Sequence, residues 1–339
     1  MKAVGYLNAG DINKPDALID IELPMPTPLS HDLRVKVTAV SVNPVDTKVR
    51  KNRQPQAGKH EVLGWDAFGI VDAVGKSVRG FKVGDRVYYA GAITRSGTNA
   101  EYHLVDSRIV GHAPTTLADA EIAALPLTSI TAWELLFDRL GVKENDGEGQ
   151  SLLVIGGAGG VGSMLIQLAR SLTKLKVIAT AGSAESKEWC SDLGAHFVIN
   201  HNLTFAPQLK AIGHAQINYI ASLTHTYKHW SSMVEAAAPQ GRIALIDDPV
   251  EPLDVMALKG KSLSLHWELM FTRSLFNTAD MDEQGQLLNR VAELVDQEKI
   301  RTTLSQQMSP INAINLRIAH EKIEQGHTQG KIVLSKFEN

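Results

Sequence analysis

A single cysteine, Cys190, stands in 339 residues. One thiol cannot close an intrachain disulfide, and it rules out any zinc site built on two or more cysteines, so the chain suits a reducing compartment. Positive charge is no more abundant: 34 Lys and Arg stand against 37 Asp and Glu, for a formal net charge of -3. The densest basic cluster is short, Lys48, Arg50, Lys51 and Arg53, so no broad cationic field exists to hold nucleic acid. Uninterrupted apolar runs fall well short of the ~20 residues that a membrane span requires. The opening Met1-Lys2-Ala3-Val4-Gly5-Tyr6 has neither the basic stretch nor the apolar core of a signal peptide. A cytoplasmic protein with neither nucleic acid nor membrane as partner is expected.

The length exceeds the ~250 to 300 residues at which one hydrophobic core stops growing, so two domains are expected. Hydrophobic residues make up 44% of the chain, enough to fill both cores. From Leu33 to Val42 apolar and polar residues mostly alternate, the period of a half-buried strand. Glycines 64, 69, 75, 80, 84 and 91 then punctuate short β-branched runs, which predicts a tightly turned, barrel-like sheet. Helical spacing begins at Asp119, passes Pro126 and stops at Gly141. Beyond the polar turn Glu144 to Gln150 comes Leu152-Leu153-Val154-Ile155, which reads as a strand buried on both faces. Strands and helices then alternate. Strands are predicted at 176–180, 197–200, 217–220, 242–246 and 262–265, with helices including 163–172 and 227–238, the pattern of a parallel α/β sheet. After Trp267 the alternation ceases. Helices over 281–297 and 311–324 and a last strand over 331–335 return the chain to the first domain.

The glycine turn is the strongest chemical signal. Gly157-Ala158-Gly159-Gly160-Val161-Gly162 follows a strand and opens a helix with an apolar face of Met164, Leu165, Leu168, Ala169 and Leu172, the order that the dinucleotide fingerprint requires. Glycines let the backbone approach a pyrophosphate, and free amides at the helix N-terminus face its charge. About 20 residues on, an acidic side chain would bind a free ribose 2′-hydroxyl. Here stand Thr180, Ala181, Gly182 and Ser183, with Lys187 a turn later: hydroxyls and a cation suited to a 2′-phosphate. NADPH is the expected cofactor, although Glu185 argues the other way.

These residues resemble the medium-chain dehydrogenase/reductase superfamily, in its quinone oxidoreductase-like branch and the proteins called zinc-type alcohol dehydrogenase-like. The resemblance spans nearly the whole chain. It rests on Ser41-Val42-Asn43-Pro44-Val45-Asp46, Gly64-Trp65-Asp66-Ala67-Phe68-Gly69, residues 80–87, the glycine turn and Gly330-Lys331-Ile332-Val333-Leu334. It implies a GroES-like β-barrel catalytic domain (1–127 and 267–339) interrupted by a doubly wound Rossmann domain (128–266), an active site in the cleft between them, and a homodimer. Zinc-dependent members place cysteine at the position of Asn43 and Gly-His-Glu where this chain has Gly64-Trp65-Asp66; the loop 90–102 has none of the four cysteines of their structural zinc lobe. No metal is therefore expected, because zinc needs about four converging N, S or O ligands. An atypical set from His60, Glu61, Asp46 or Asp66 is the alternative, and His225 and His229 stand at the spacing of two ligands on one helix face.

By the same likeness, Asn43 and Thr131 orient the nicotinamide, His201 replaces a tyrosine near the 2′-phosphate, and Lys331 is either near the cofactor phosphates or solvated. Ser222, Leu223 and Thr224, with Ile246, Asp247 and Asp248, follow strands at the ends where ligands bind. Without a Lewis acid the natural reaction is hydride delivery from NADPH to a quinone or an α,β-unsaturated carbonyl, with Asn43, Lys48, Tyr88 or Tyr89 steadying the oxyanion or enolate. Asp46 fixes its loop, and Trp65 fills the space of a metal ligand or is simply core. Residues 266–273, rich in aromatic and sulfur-containing side chains, suit an interface or a substrate wall. A zinc-dependent alcohol dehydrogenase with atypical ligands and an NADPH-binding sensor of low turnover are the rival readings.

Overall fold

The computed structural model describes residues 1–326 and 328–338. Its contacts divide the chain into two compact units, Met1–Ile130 together with the chain from Phe271 onward, and Thr131–Met270.

The second unit is built on six parallel strands, in the order Phe197–Asn200, Lys176–Ala181, Ser151–Ile155, Ile217–Ser222, Ala237–Leu245 and Ser264–Trp267. Ser151–Ile155 lies between two partners and every one of its residues is buried, which explains a sequence without alternation. Leu153, Ile155, Ile178, Phe205, Ile220, Met233 and Ile243 belong to one apolar core. The strand order turns in opposite directions from Ser151–Ile155, so its carboxyl end is the switch point at which such sheets bind ligands.

In the first unit the eleven-residue strand Asp32–Val42 pairs antiparallel with Ala67–Val74, Tyr102–Asp106 and Lys331–Ser335. Leu33, Val35 and Val37 are buried and Lys36 is exposed, as alternation demands. A separate three-stranded sheet holds Ile19–Glu22, Lys2–Tyr6 and Glu61–Val62.

Several elements differ from expectation for local reasons. The helix Pro44–Asn52 departs from the expectation, yet its start is encoded: the Asp46 carboxylate accepts from the Asn43 amide, and proline sits in the first turn. The strand Leu304–Met308 escaped notice because it is largely polar. The last strand of the parallel sheet begins at Ser264 rather than Ser262, since Ser262 ends a helical turn in the left-handed region at φ 51°. Asp119–Arg139 has the length and hydropathy of a membrane span, but 83% of its most apolar window is buried in the fold.

Candidate active site

The glycine turn lies at the switch point of the parallel sheet. Gly156, one residue before the predicted fingerprint, takes the left-handed conformation at φ 83° that turns the chain out of the strand. The helix Gly160–Leu172 then starts with Gly159 as its N-cap and no side chain capping it, so its first amides face outward. A Cβ on Gly162 would lie 2.8 Å from the carbonyl carbon of Gly157; only glycine lets the two backbones approach this closely. The cradle fits a dinucleotide diphosphate.

At the end of Lys176–Ala181 a cavity of about 290 Å³ is lined by Ala181, Gly182, Ser183 and Lys187 on one side and by Asn200 and Gln208 on the other. Ser183 caps the helix Ala184–Asp192 by accepting from the Ser186 amide at 3.1 Å. Lys187 is exposed and makes no ion pair among the described residues. Glu185 is held by its own amide and by the Ser183 hydroxyl, which keep its carboxyl below the usual range. Leu223 donates its amide to Ile155, and a Cβ on Gly156 would lie 2.9 Å from Thr224, so both residues border the turn. Asp247 accepts from the Thr226 amide at 3.0 Å and from the Thr226 hydroxyl, while Ile246 donates to Ser222. Asp247 therefore caps the preceding helix, Thr226–Ala236.

The first unit contains a buried charged cluster. Strand register builds it: Ile332 lies opposite Val42, which places Lys331 beside Asn43, and Ser41 donates to the Asp66 carbonyl on the other flank. The Lys331 ammonium donates to the Val42 carbonyl at 3.0 Å and to Asn43 Oδ1, and lies 3.2 Å from Asp66 Oδ2. Asn43 Nδ2 donates to Asp66 Oδ2 at 3.1 Å, and the Leu127 amide to Asp66 Oδ1 at 2.9 Å. Asp46 accepts from the Asn43 amide at 2.6 Å. Two carboxyls share one ammonium, all out of water. Burial, reinforced by the neighbouring Asp66, pushes Asp46 up to about 7, against the Asn43 amide and Lys331. Burial also raises Asp66 and lowers Lys331, while their mutual attraction opposes both shifts.

Several expectations are corrected here. Lys331 is neither solvated nor free for a cofactor phosphate, because three oxygens hold it inside the first unit. Tyr88 donates to the Leu288 carbonyl at 2.5 Å, and Tyr89 lies 3.1 Å from His103 Nδ1. Both phenols are buried and raised above their ordinary range, so neither is poised as a proton donor. Trp65 is core: Nε1 donates to the Ala92 carbonyl at 3.3 Å and the ring packs edge-on against Phe271. Lys48 lies on an exposed helix face. His225 precedes the helix Thr226–Ala236 in the left-handed conformation, whereas His229 is buried against Phe205 and held near 4 by burial, so the pair does not share a helix face.

The sequence reading missed a buried carboxyl pair. Glu134 begins a π-helical turn, Glu134–Arg139, and meets Glu268 beneath Arg139, whose Nε donates to Glu268 at 2.8 Å. Burial and the neighbouring Glu134 push the Glu268 carboxyl well above the usual range, against the pull of Arg139. Glu268 stands between exposed Trp267 and Leu269 in the segment expected to be an interface or substrate wall.

Comparison with known proteins agrees with this architecture. The chain matches the alcohol dehydrogenase GroES-like domain over residues 30–119 and the zinc-binding dehydrogenase domain over 193–334. It is 38% identical to a zinc-type alcohol dehydrogenase-like protein of Staphylococcus aureus, across 99% of this chain and all of that one. A crystal structure from Rhizobium etli, of a protein provisionally called a zinc-dependent alcohol dehydrogenase, superposes with a TM-score of 0.97 at 53% identity, covering 100% and 99% of the two chains. A tomato 2-methylene-furan-3-one reductase shares 36% identity over 210 residues, 59% of this chain and 52% of its own. The chain belongs to the medium-chain dehydrogenase/reductase superfamily and is an oxidoreductase of that type.

The zinc in the relatives' names does not fit the residues present. Asn43 and Asp66 already hold an ammonium, Trp65 points its nitrogen at a carbonyl, and among the described residues no three His, Cys, Asp or Glu side chains converge as a metal site.

Proposed function

We propose that the chain is an NADPH-dependent, zinc-independent reductase delivering hydride to a quinone or an α,β-unsaturated carbonyl compound. The observation that carries this reading is Lys331, seated among Val42, Asn43 and Asp66 where the resemblance puts zinc ligands. With these oxygens committed to a cation of the chain itself, alcohol activation by a Lewis acid has no support, and the acceptor must be electron-poor already. The tomato relative's name, that of an enone reductase, points the same way.

When bound, the reduced nicotinamide supplies the hydride. The amides of Gly157 to Gly162 hold the diphosphate, Lys187 and His201 attend the 2′-phosphate, and Thr131, Ser222, Leu223 and Thr224 flank the nucleotide. Ile246 and Asp248 border the same end of the sheet. Asn43, fixed at both ends of its carboxamide, orients the reacting groups, and Asp46 holds the start of its helix. A cytoplasmic homodimer completes the reading. Its support is the edge strand Ser264–Trp267, with Trp267 and Leu269 exposed, and light scattering should return twice 36.8 kDa.

The test is acceptor-dependent oxidation of NADPH and NADH by chelator-treated protein whose zinc content is measured. Turnover of quinones or enones by metal-free protein, with kcat/KM about tenfold higher for NADPH, is expected. Stoichiometric zinc whose removal abolishes turnover would favour the alcohol dehydrogenase reading instead.

A further inference from the structure

Thr180 is fully buried at the carboxyl end of Lys176–Ala181, yet its hydroxyl is engaged on both sides. It accepts from the Gly156 amide at 3.1 Å and lies 3.2 Å from His201 Nδ1. One hydrogen thus reaches the oxygen from Gly156, which leaves the hydroxyl's own hydrogen to be donated. Nδ1 is the acceptor within reach, so the ring's hydrogen belongs on Nε2. That nitrogen stands over Gly182: a Cβ there would lie 2.7 Å from it, and Gly182 also borders the Lys187 cavity.

We infer that Thr180 is a positioning residue that locks His201 as a neutral imidazole with its Nε2–H presented to the nucleotide at the end of the second strand. The inference rests on the cofactor reading above and adds to it a mechanism. A cationic His201 would need a hydrogen on Nδ1 as well, forcing the Thr180 hydroxyl to accept twice and orphaning its own hydrogen. The surroundings act in the same direction. His229 faces the ring at 6.1 Å between centroids, and burial together with Lys228 and His225 lowers the imidazole's pKa. Asn202 Nδ2 also lies over Gly182, 3.3 Å from where its Cβ would be, and Asp247, the nearby carboxylate, acts on His229. His201 therefore supplies a donor that a ribose hydroxyl or a phosphate oxygen accepts equally, and the cation that selects the 2′-phosphate is Lys187.

The experiment pairs histidine ¹⁵N NMR at pH 7 with nucleotide titrations of wild type, Thr180→Val, Thr180→Ser and Lys187→Ala. Wild type and Thr180→Ser should show His201 protonated on Nε2 alone, and Thr180→Val a mixture of tautomers. Thr180→Val should weaken NADPH and NADH alike, by about tenfold, with Thr180→Ser restoring both. Lys187→Ala should weaken NADPH alone. A wild-type His201 that carries its hydrogen on Nδ1 or is cationic overturns the inference, as does Thr180→Val with unchanged tautomer and affinity. Wild-type protein that binds neither nucleotide refutes the cofactor reading itself, an outcome separate from both.

Discussion

Lys331 and Asp66 form an ion pair with almost no access to water, so each is costly without the other. Replacing Lys331 by Met should destabilise the protein by about 3–5 kcal/mol in chemical denaturation, and adding Asp66→Asn should recover much of that loss. Asp46 gives a pH signature of definite sign. Its folded pKa of about 7 lies above the ordinary carboxylate value of 3.8, so the folded state binds the proton more tightly. The associated stability is complete below the unfolded value and is lost as pH rises towards 7. Relative to Asp46→Asn, wild type should therefore lose about 1.4 kcal/mol per pH unit between pH 5 and 7, read from urea midpoints at each pH. A parallel pH dependence in the two proteins would show that Asp46 is ionised throughout.

At the scale of elements, the turn between Ser151–Ile155 and Gly160–Leu172 carries the proposed diphosphate contacts. Gly162→Ala drives a methyl group against the Gly157 backbone, so nucleotide affinity should fall more than tenfold by fluorescence titration while the circular dichroism spectrum stays unchanged. Phenols packed into the first unit behave differently. Tyr88→Phe removes a hydrogen bond to Leu288 and should cost about 1 kcal/mol in thermal or urea unfolding, leaving kcat/KM within about twofold of wild type. A large loss of kcat/KM with unchanged stability would return Tyr88 to the catalytic group.

For the whole molecule, a cofactor that binds only the folded chain must raise its stability by mass action. At 100 times its Kd, NADPH should add about 2.7 kcal/mol to the unfolding free energy. NADH at the same concentration should add less, and equal shifts would remove the argument from Lys187. The sequence by itself determined the parallel sheet and its glycine turn, because an unbroken apolar strand, glycines at fixed offsets and an amphipathic helix are local patterns that directly report backbone geometry. Ser183 and Lys187 border the cavity at the end of their strand because they follow it closely in the chain. The bond from the Asn43 amide to the Asp46 carboxylate that starts a helix is equally local. Only the tertiary structure decided the fate of Lys331, 288 residues from Asn43 along the chain and beside it through the register of an antiparallel strand pair. It likewise decided that Tyr88 and Tyr89 face the core and that Glu134 meets Glu268. A side chain's protonation, partners and exposure are set by what other segments bring to it, and that information is carried by strand register and packing rather than by neighbours in sequence.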